Sequence, residues 1–367
     1  MKFRCDRDVL SEALQIVQHG ISTRPGIPAL TGVLMETSGE GTLTLTTTDL
    51  EVSAQLSIDV QSQEDGSVLV PARLFGEVVK NLSEAPVDFD ADPSQAKVRC
   101  AAYEGTLRLL PAEDFPALHA PAGTTVTVDA PSFAEAVSQV GRAASKDEAR
   151  PVLTGVLLEV NREGITLAAT DSYRLAVREL TATASGEAKA IVPERALQEA
   201  GRAAAAEEKG QVELVADESQ VSFKVGGLRL TSRLIEGEFP NYRQLLPDGY
   251  ENRLTMPRQG LIEAVRRVGL LARDNAPVRM EFNALGVRLS SSSPDLGEAV
   301  EAVEATYEGE DITAAFNPVY LGEGLAAATG DTVRVEVRDG LKPGVVKGEA
   351  DDFSYLVMPV RLPAPVG

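Results

Sequence analysis

Three stretches of the chain carry apolar residues at helical spacing. Val9, Leu10, Ala13, Leu14, Ile16 and Val17 form the first stripe. Phe133, Ala136, Val137 and Val140 form the second, and Leu261, Ile262, Val265 and Val268 the third. Recurrence at such intervals predicts amphipathic helices. Asp6 and Asp129 stand where the first two helices need an N-cap, a side-chain oxygen able to accept from an orphan backbone N–H. The period then changes to two. Residues 43–49 and 165–171 alternate apolar and polar side chains, as half-buried strands do.

The same order of words returns along the chain, so the pattern is a repeat. Leu30-Thr31-Gly32-Val33-Leu34 recurs as Leu153-Thr154-Gly155-Val156-Leu157, and Thr48-Asp49 as Thr170-Asp171. The third copy is more diverged, with Val278-Arg279-Met280-Glu281-Phe282 followed by Gly286-Val287-Arg288-Leu289-Ser290. Pro71, Pro193 and Pro318 each lead from a predicted strand into a second helical pattern, and proline suits a first helical position, where its missing N–H is not needed. Further strands follow in each copy, with Gly226-Gly227 as a hairpin turn and the last strand placed at residues 355–360. Phe115-Pro116 and Phe239-Pro240 close the first two copies. The reading is an α+β chain of three repeated domains, each with two helices and antiparallel sheets. The boundaries fall at residues 1–120, 121–250 and 251–367, with linkers at Pro121-Ala122-Gly123 and Pro247-Asp248-Gly249.

Composition narrows the function classes. The formal charge of -20 excludes a uniformly basic nucleic-acid binder but leaves room for a local basic surface. Cys5 and Cys100 fit no metal-ligand spacing, and such cysteine poverty suits a reducing cytosol. The start of the chain shows no signal-peptide apolar run, and no window approaches a membrane span. His19 and His119 read as surface residues and supply little general-base material. There is no phosphate-binding glycine loop, and Gly322-Glu323-Gly324 falls inside a predicted helix rather than at a strand-to-helix turn. Acid pairs such as Glu207-Glu208 and Asp351-Asp352 read as solvated loop charges. The expectation is a protein that is not an enzyme and has no cofactor and no metal.

The cations are more informative. Arg73 and Arg195 lie two residues after the helix-opening prolines, and Lys80 and Arg202 lie seven residues further on, on the same helical face. Tyr320 and Ala327 hold these places in the third copy. Arg142 and Lys146, four apart, and Arg266, Arg267 and Arg273 extend the first helices of the later copies, while Arg24 and Arg150 occupy the turns after such helices. Solvated helix faces are the common fate of such residues. Repeat-matched cations in an acidic chain also suit a groove that holds a polyanion and repels it elsewhere.

With these motifs in view, the chain resembles the bacterial DNA polymerase III β subunits, the processivity sliding clamps, along essentially its whole length. The most specific pieces are Ala169-Thr170-Asp171-Ser172-Tyr173-Arg174-Leu175-Ala176-Val177, Gly237-Glu238-Phe239-Pro240-Asn241-Tyr242-Arg243 and Tyr355-Leu356-Val357-Met358-Pro359-Val360-Arg361-Leu362. The resemblance implies three DNA-clamp domains forming half of a closed ring, a head-to-tail homodimer with twelve helices lining the hole. Helices about 10 Å across agree with that: six enclose a bore of only ~20 Å, twelve one of ~38 Å, wide enough for a duplex and a water layer. The implied function is to encircle double-stranded DNA without sequence preference and to tether the replicative polymerase for processive synthesis, in the cytoplasm at the nucleoid.

The resemblance also implies site residues. For DNA they are Arg24, Arg73, Arg150, Arg195 and Arg202, to which helical geometry adds Lys80, Arg142 and Lys146. For partner peptides, those of the polymerase α subunit, the clamp loader and other clamp-motif proteins, they fall in four segments. These are Thr170, Ser172, Tyr173, Arg174 and Leu175; Pro240, Gln244 and Leu245; Asn317, Tyr320, Leu341 and Pro343; and Leu356, Met358, Pro359, Val360 and Arg361. Leucine, methionine, valine and proline make an apolar trough, and methionine adapts to different partners. Tyr173 stands where many relatives carry histidine, and Gln244 where some carry arginine. Leu270 and Leu271 match the family's subunit contact. Two other classes are a protein-interaction scaffold with no DNA role and an enzyme with an interdomain site. Against the scaffold stand the matched arginines, and against the enzyme the missing motifs.

Overall fold

The computed structural model describes residues 1–21, 26–246, 249–272, 276–350 and 352–362, the His19 side chain excepted. Arg24, Arg273, Pro247, Asp248 and Asp351 lie outside the described residues.

Six α-helices are described: α1 (Arg7–Val17), α2 (Ala72–Lys80), α3 (Ala130–Gly141), α4 (Glu194–Ala205), α5 (Arg258–Gly269) and α6 (Pro318–Ala327). The expected periodicity holds except at Val9, which starts the first stripe but is 43% exposed. In α1, Leu10, Ala13, Leu14 and Val17 are buried, and in α5, Leu261, Ala264, Val265 and Val268. Asp6 caps α1 by accepting from the Asp8 N–H at 2.9 Å, and Asp129 caps α3 through Ser132 at 3.0 Å. The prolines differ from expectation at two of three places. Pro318 is the first residue of α6, but Pro71 and Pro193 end the strands Gly66–Pro71 and Ala188–Pro193. There they stand opposite Gly32 and Gly155, so each completes a sheet edge one residue before its helix.

All the strand pairs are antiparallel, and they group into four sheets of nine, nine, five and four strands. The chain divides into two compact units. The first unit contains a nine-stranded sheet in which Val52–Asp59 of the first repeat pairs with Leu228–Arg233 of the second, and also the five-stranded sheet. The second contains the other nine-stranded sheet, where Arg174–Thr181 of the second repeat pairs with Phe353–Val357 of the third, and the four-stranded sheet. Each nine-stranded sheet therefore joins five strands of one repeat to four of the preceding one. Contact density follows these shared sheets, which is why two units emerge from three repeats.

The first core is aromatic, with Phe3 stacked on Phe89 at 5.0 Å and Phe75 edge-on to the same ring at 5.7 Å. In the second unit Leu157, Leu175, Val177, Ile191, Phe239, Tyr242 and Leu356 form one buried cluster beneath the joining strands. Cys5 and Cys100 are both buried free thiols. Burial pushes the Cys5 thiol up to about 11, with Asp6 adding to the shift, so it is an unreactive core residue. Among the described residues no helix is long and apolar enough to cross a membrane.

Candidate functional site

The turn after the strand Gly164–Thr170 is held by its own side chains. The Thr170 hydroxyl donates to the Arg174 carbonyl at 2.6 Å and accepts from the Ser172 N–H at 3.1 Å. Asp171 Oδ1 accepts from the Tyr173 and Arg174 N–H groups at 2.9 and 3.0 Å. These bonds hold Ser172 at φ +81°, a left-handed conformation that costs a non-glycine residue energy. The result is that Tyr173 stands out, 60% exposed, while Arg174 turns in and is 9% exposed.

Arg174 is the hub. Its Nε donates to Asp171 Oδ2 at 3.0 Å, its Nη1 reaches the Tyr355 hydroxyl at 3.3 Å, and it pairs with Glu323 of α6. Its guanidinium also lies 4.6 Å from the centre of the Tyr320 ring, a cation–π distance. Tyr320 in turn stacks on Tyr173, ring centres 6.2 Å apart. Burial raises the Tyr355 phenol to about 12 despite the arginine, so it stays protonated. Thr170, Ser172, Tyr173, Arg174 and Tyr320 are thus brought together as expected.

The other segments meet this hub from the strand side. Leu175 pairs with Leu356, and both sit in the buried cluster. The strand expected at residues 355–360 ends at Val357. Met358 then donates to the Tyr173 carbonyl at 2.9 Å, Pro359 bridges to Phe316, and Val360 donates to the Ala315 carbonyl at 2.8 Å. The strand stops because Pro359 has no N–H to continue a ladder. Asn317 is occupied as the N-cap of α6, accepting from Val319 at 2.9 Å. Pro343 meets the Tyr250 hydroxyl at 3.4 Å, and Tyr250 packs on the cluster. Pro240, Gln244, Leu245, Leu341 and Arg361 are exposed. The helical turn Tyr242–Leu245 that carries Gln244 and Leu245 is pinned by Glu159, which accepts from the Tyr242 hydroxyl at 2.9 Å and pairs with Arg243 at 2.6 Å.

Tyr173 and Met358 are 60 and 42% exposed beside the polar hub, and Leu245 and Leu341, on the other predicted segments, are 48 and 72% exposed. Such a surface suits an extended apolar segment rather than bond-making chemistry. Two members escaped the sequence reading. Glu323 sits one turn after Tyr320 on α6, a spacing that does signal a shared face. Tyr355 carries no such sign, because a buried tyrosine in a strand reads as core.

The candidate DNA cations stand as follows. Arg73 and Lys80 are exposed on α2, opposite the buried Ala72, Phe75, Gly76 and Val79. On α4, Arg195 is exposed and Arg202 pairs with Glu199 at 2.9 Å. The premise for Arg142 and Lys146 fails, because α3 ends at Gly141 and neither residue is on a helix. Lys146 is exposed in the turn beyond. Arg142 donates to the Ser138 carbonyl at 2.9 Å and the Glu323 carbonyl at 3.3 Å. Burial pulls its guanidinium below its ordinary value. Arg150 pairs with Asp147 at 3.0 Å and donates to the Ser172 hydroxyl at 3.1 Å, which attaches it to the hub turn. Leu270, at the end of α5, is 71% exposed, and Leu271 is half-buried. Among the described residues no three histidine, cysteine, aspartate or glutamate side chains gather as metal ligands.

Three family models cover the chain. The DNA polymerase III beta subunit N-terminal domain matches residues 1–119, the central domain 127–241 and the C-terminal domain 243–361. A beta sliding clamp of Streptomyces coelicolor is 38% identical over 99% of this chain and 100% of its own length. A beta sliding clamp homolog, GriR, of Streptomyces muensis is 33% identical over 98% of this chain and 99% of its own. Among solved structures, the sliding clamp of Pseudomonas aeruginosa bound to griselimycin superposes with a TM-score of 0.94 at 30% identity, covering 99% of this chain and 100% of that one. The clamp of Bacillus subtilis gives 0.94 at 28% identity with the same coverage.

Proposed function

The chain belongs to the DNA polymerase III beta subunit family, the sliding clamps that serve as non-catalytic processivity factors in DNA replication, and we propose that it acts as a head-to-tail homodimeric ring threaded by duplex DNA. The observation that carries the proposal is the repeated sheet. Each repeat contributes five strands to one sheet and four to the next, and both internal joints pair the same two strands of the repeat. One chain leaves the set incomplete. The strand Tyr103–Arg108 ends the five-stranded sheet and Gly297–Glu304 ends the four-stranded sheet. They are the repeat equivalents of the two strands that meet at each joint. A free edge of this kind is a template for another chain. Pairing Tyr103–Arg108 of one copy with Gly297–Glu304 of a second gives a nine-stranded sheet like the other two, and two such joints close a ring. Leu270 and Leu271 lie at the end of α5, whose Arg267 pairs with Glu301 on that edge strand at 2.6 Å, which supports their place in the contact.

Within the ring, Arg73, Lys80, Arg195 and Arg202, with Arg24 and Lys146, serve as phosphate contacts that carry no sequence information and exchange along the duplex. Arg142 and Arg150 reach phosphate only by leaving the partners described above. The rim of Tyr173, Leu245, Leu341 and Met358 is the dock for peptide segments of the polymerase, the clamp loader and other partners, with Tyr173 and Gln244 tuning their choice. The domain boundaries are 1–120, 121–250 and 251–367, and the setting is the cytoplasm. The decisive test is loading onto nicked circular DNA, where the protein stays bound through gel filtration in moderate salt and is released when the circle is cut. Release from intact circles at the same rate refutes the ring. Arg73→Glu with Arg202→Glu lowers the loaded fraction severalfold, and an unchanged fraction refutes the phosphate role. Met358→Ala with Tyr173→Ala weakens polymerase-peptide binding tenfold or more while leaving the dimer intact.

A further inference from the structure

The hub turn has a twin. Thr48-Asp49 is the repeat equivalent of Thr170-Asp171, and its backbone is held by the same bonds. The Thr48 hydroxyl donates to the Val52 carbonyl at 3.2 Å and accepts from the Leu50 N–H at 3.0 Å. Asp49 Oδ1 accepts from the Glu51 and Val52 N–H groups at 3.0 and 2.8 Å. Leu50 sits at φ +76°, as Ser172 sits at +81°. Arg233 donates its N–H to the Glu51 carbonyl at 3.0 Å, as Met358 does to that of Tyr173. The same frame is therefore built twice, and the second frame also borders a recess, of about 280 Å³.

The side chains on the two frames differ. Glu51 replaces Tyr173, Val52 replaces the arginine hub and Arg233 replaces Met358. The recess is floored by Val52 and Thr48 and walled by Leu50 and Leu118, both 42% exposed. Leu118 and His119 come from the segment after Phe115-Pro116, the equivalent of the one that carries Tyr242 and Arg243. Arg233 and His119 stand exposed at its mouth, and among the described residues neither forms an ion pair. Glu51 is the one acid on the lining.

We propose that this recess is a second peptide site, which takes an extended segment carrying a bulky apolar side chain followed by a carboxylate. The proposal rests on reading the Tyr173–Met358 rim as a peptide dock. The volume fits one or two side chains, and Leu50 and Leu118 supply the apolar contact. Arg233 decides the second element, with the His119 ring beside it as a further polar partner. On a chain of charge -20, a mouth with Arg233 is a local exception that selects an acid, set on the side away from Glu51. The two sites thus share backbone geometry and differ in what they accept.

The test uses the full chain, with leucine and methionine methyls labelled for NMR, titrated with Ac-Ala-Leu-Asp-Leu-amide and with its Asn counterpart. The Asp peptide produces saturable shifts at Leu50 and Leu118. At these methyls the Asn peptide, or Arg233→Glu in the protein, raises the apparent Kd at least tenfold. Circular dichroism checks that the variant, altered at an exposed side chain, keeps its fold. Shifts at Leu245 and Met358 report the first dock separately and are abolished by Tyr173→Ala but not by Arg233→Glu. Response at Leu245 and Met358 with silence at Leu50 and Leu118 overturns this proposal and leaves the first dock standing. Equal binding of the two peptides at Leu50 and Leu118 also overturns it. Response at Leu50 and Leu118 alone supports it and shows that the first dock does not accept this acidic peptide.

Discussion

Arg174 shows how one residue sets the character of a surface. A cation only 9% exposed is compensated by Asp171, Glu323, the Tyr355 hydroxyl and the Tyr320 ring, which surround it. Removing it strands the Asp171 carboxylate, whose side chain is 12% exposed, and breaking a buried pair in this way costs about 3–5 kcal/mol. Glu159 does a related job nearby. Burial opposes its charge, but hydrogen bonds from Tyr242, Arg243 and Lys189 outweigh burial and hold the carboxyl below its ordinary 4.5. A depressed folded value means that the bonds stabilise the fold above the unfolded pKa. The contribution fades as pH falls through the folded one. Glu159→Gln is therefore expected to cost ~1–3 kcal/mol at pH 7. The gap to the unsubstituted protein should shrink as pH drops below 4.5. Urea denaturation followed by near-ultraviolet circular dichroism at pH 7 and at pH 4 checks both the size and the sign.

At the scale of elements, α6 and the strand Phe353–Val357 are fitted to each other. A Cβ on Gly324 would lie 2.3 Å from Tyr355 Cδ1, and that ring is fully buried with no room to move aside. The glycine inside the helix is thus a close-approach residue. Its place inside a helix was legible in the sequence, but the ring that requires a glycine there was not. Gly324→Ala is expected to cost ~1–3 kcal/mol by overpacking. It should also weaken peptide binding, since Tyr355 holds Arg174. A thermal melt and a peptide titration on the same variant test the two parts, and unchanged stability would mean the helix slides at no cost. Elsewhere the elements were legible. The stripes of α1 and α5 were plain in the sequence because burial of one face imposes its period directly. The two missed proline positions differ by a single residue, since a proline ends a strand as readily as it begins a helix. Arg142 was misplaced for a related reason: nothing in an i,i+4 spacing says where a helix stops.

For the whole molecule the governing fact is an unfinished set of sheets. Two joints lie within the chain, and the strands for a third are left at Tyr103–Arg108 and Gly297–Glu304. Sedimentation at micromolar concentration is expected to report a dimer. Leu270→Asp with Leu271→Asp should shift it to a monomer that keeps its circular dichroism spectrum, because Leu270 is 71% exposed and Leu271 only half-buried. A dimer that survives both charges would place the contact elsewhere.

The sequence by itself determined the repeat, the six helices, the alternating strands and most of the residues that gather around Arg174. Those features are local periods or recurring words, written where they act. Only the tertiary structure decided that Arg150 serves Ser172, that Glu323 and Tyr355 complete the hub, and that a second frame stands behind Leu50. It also decided which strands of each repeat are joined and which edges are left over. Each of these is a pairing between residues far apart along the chain, and no local period encodes the partner.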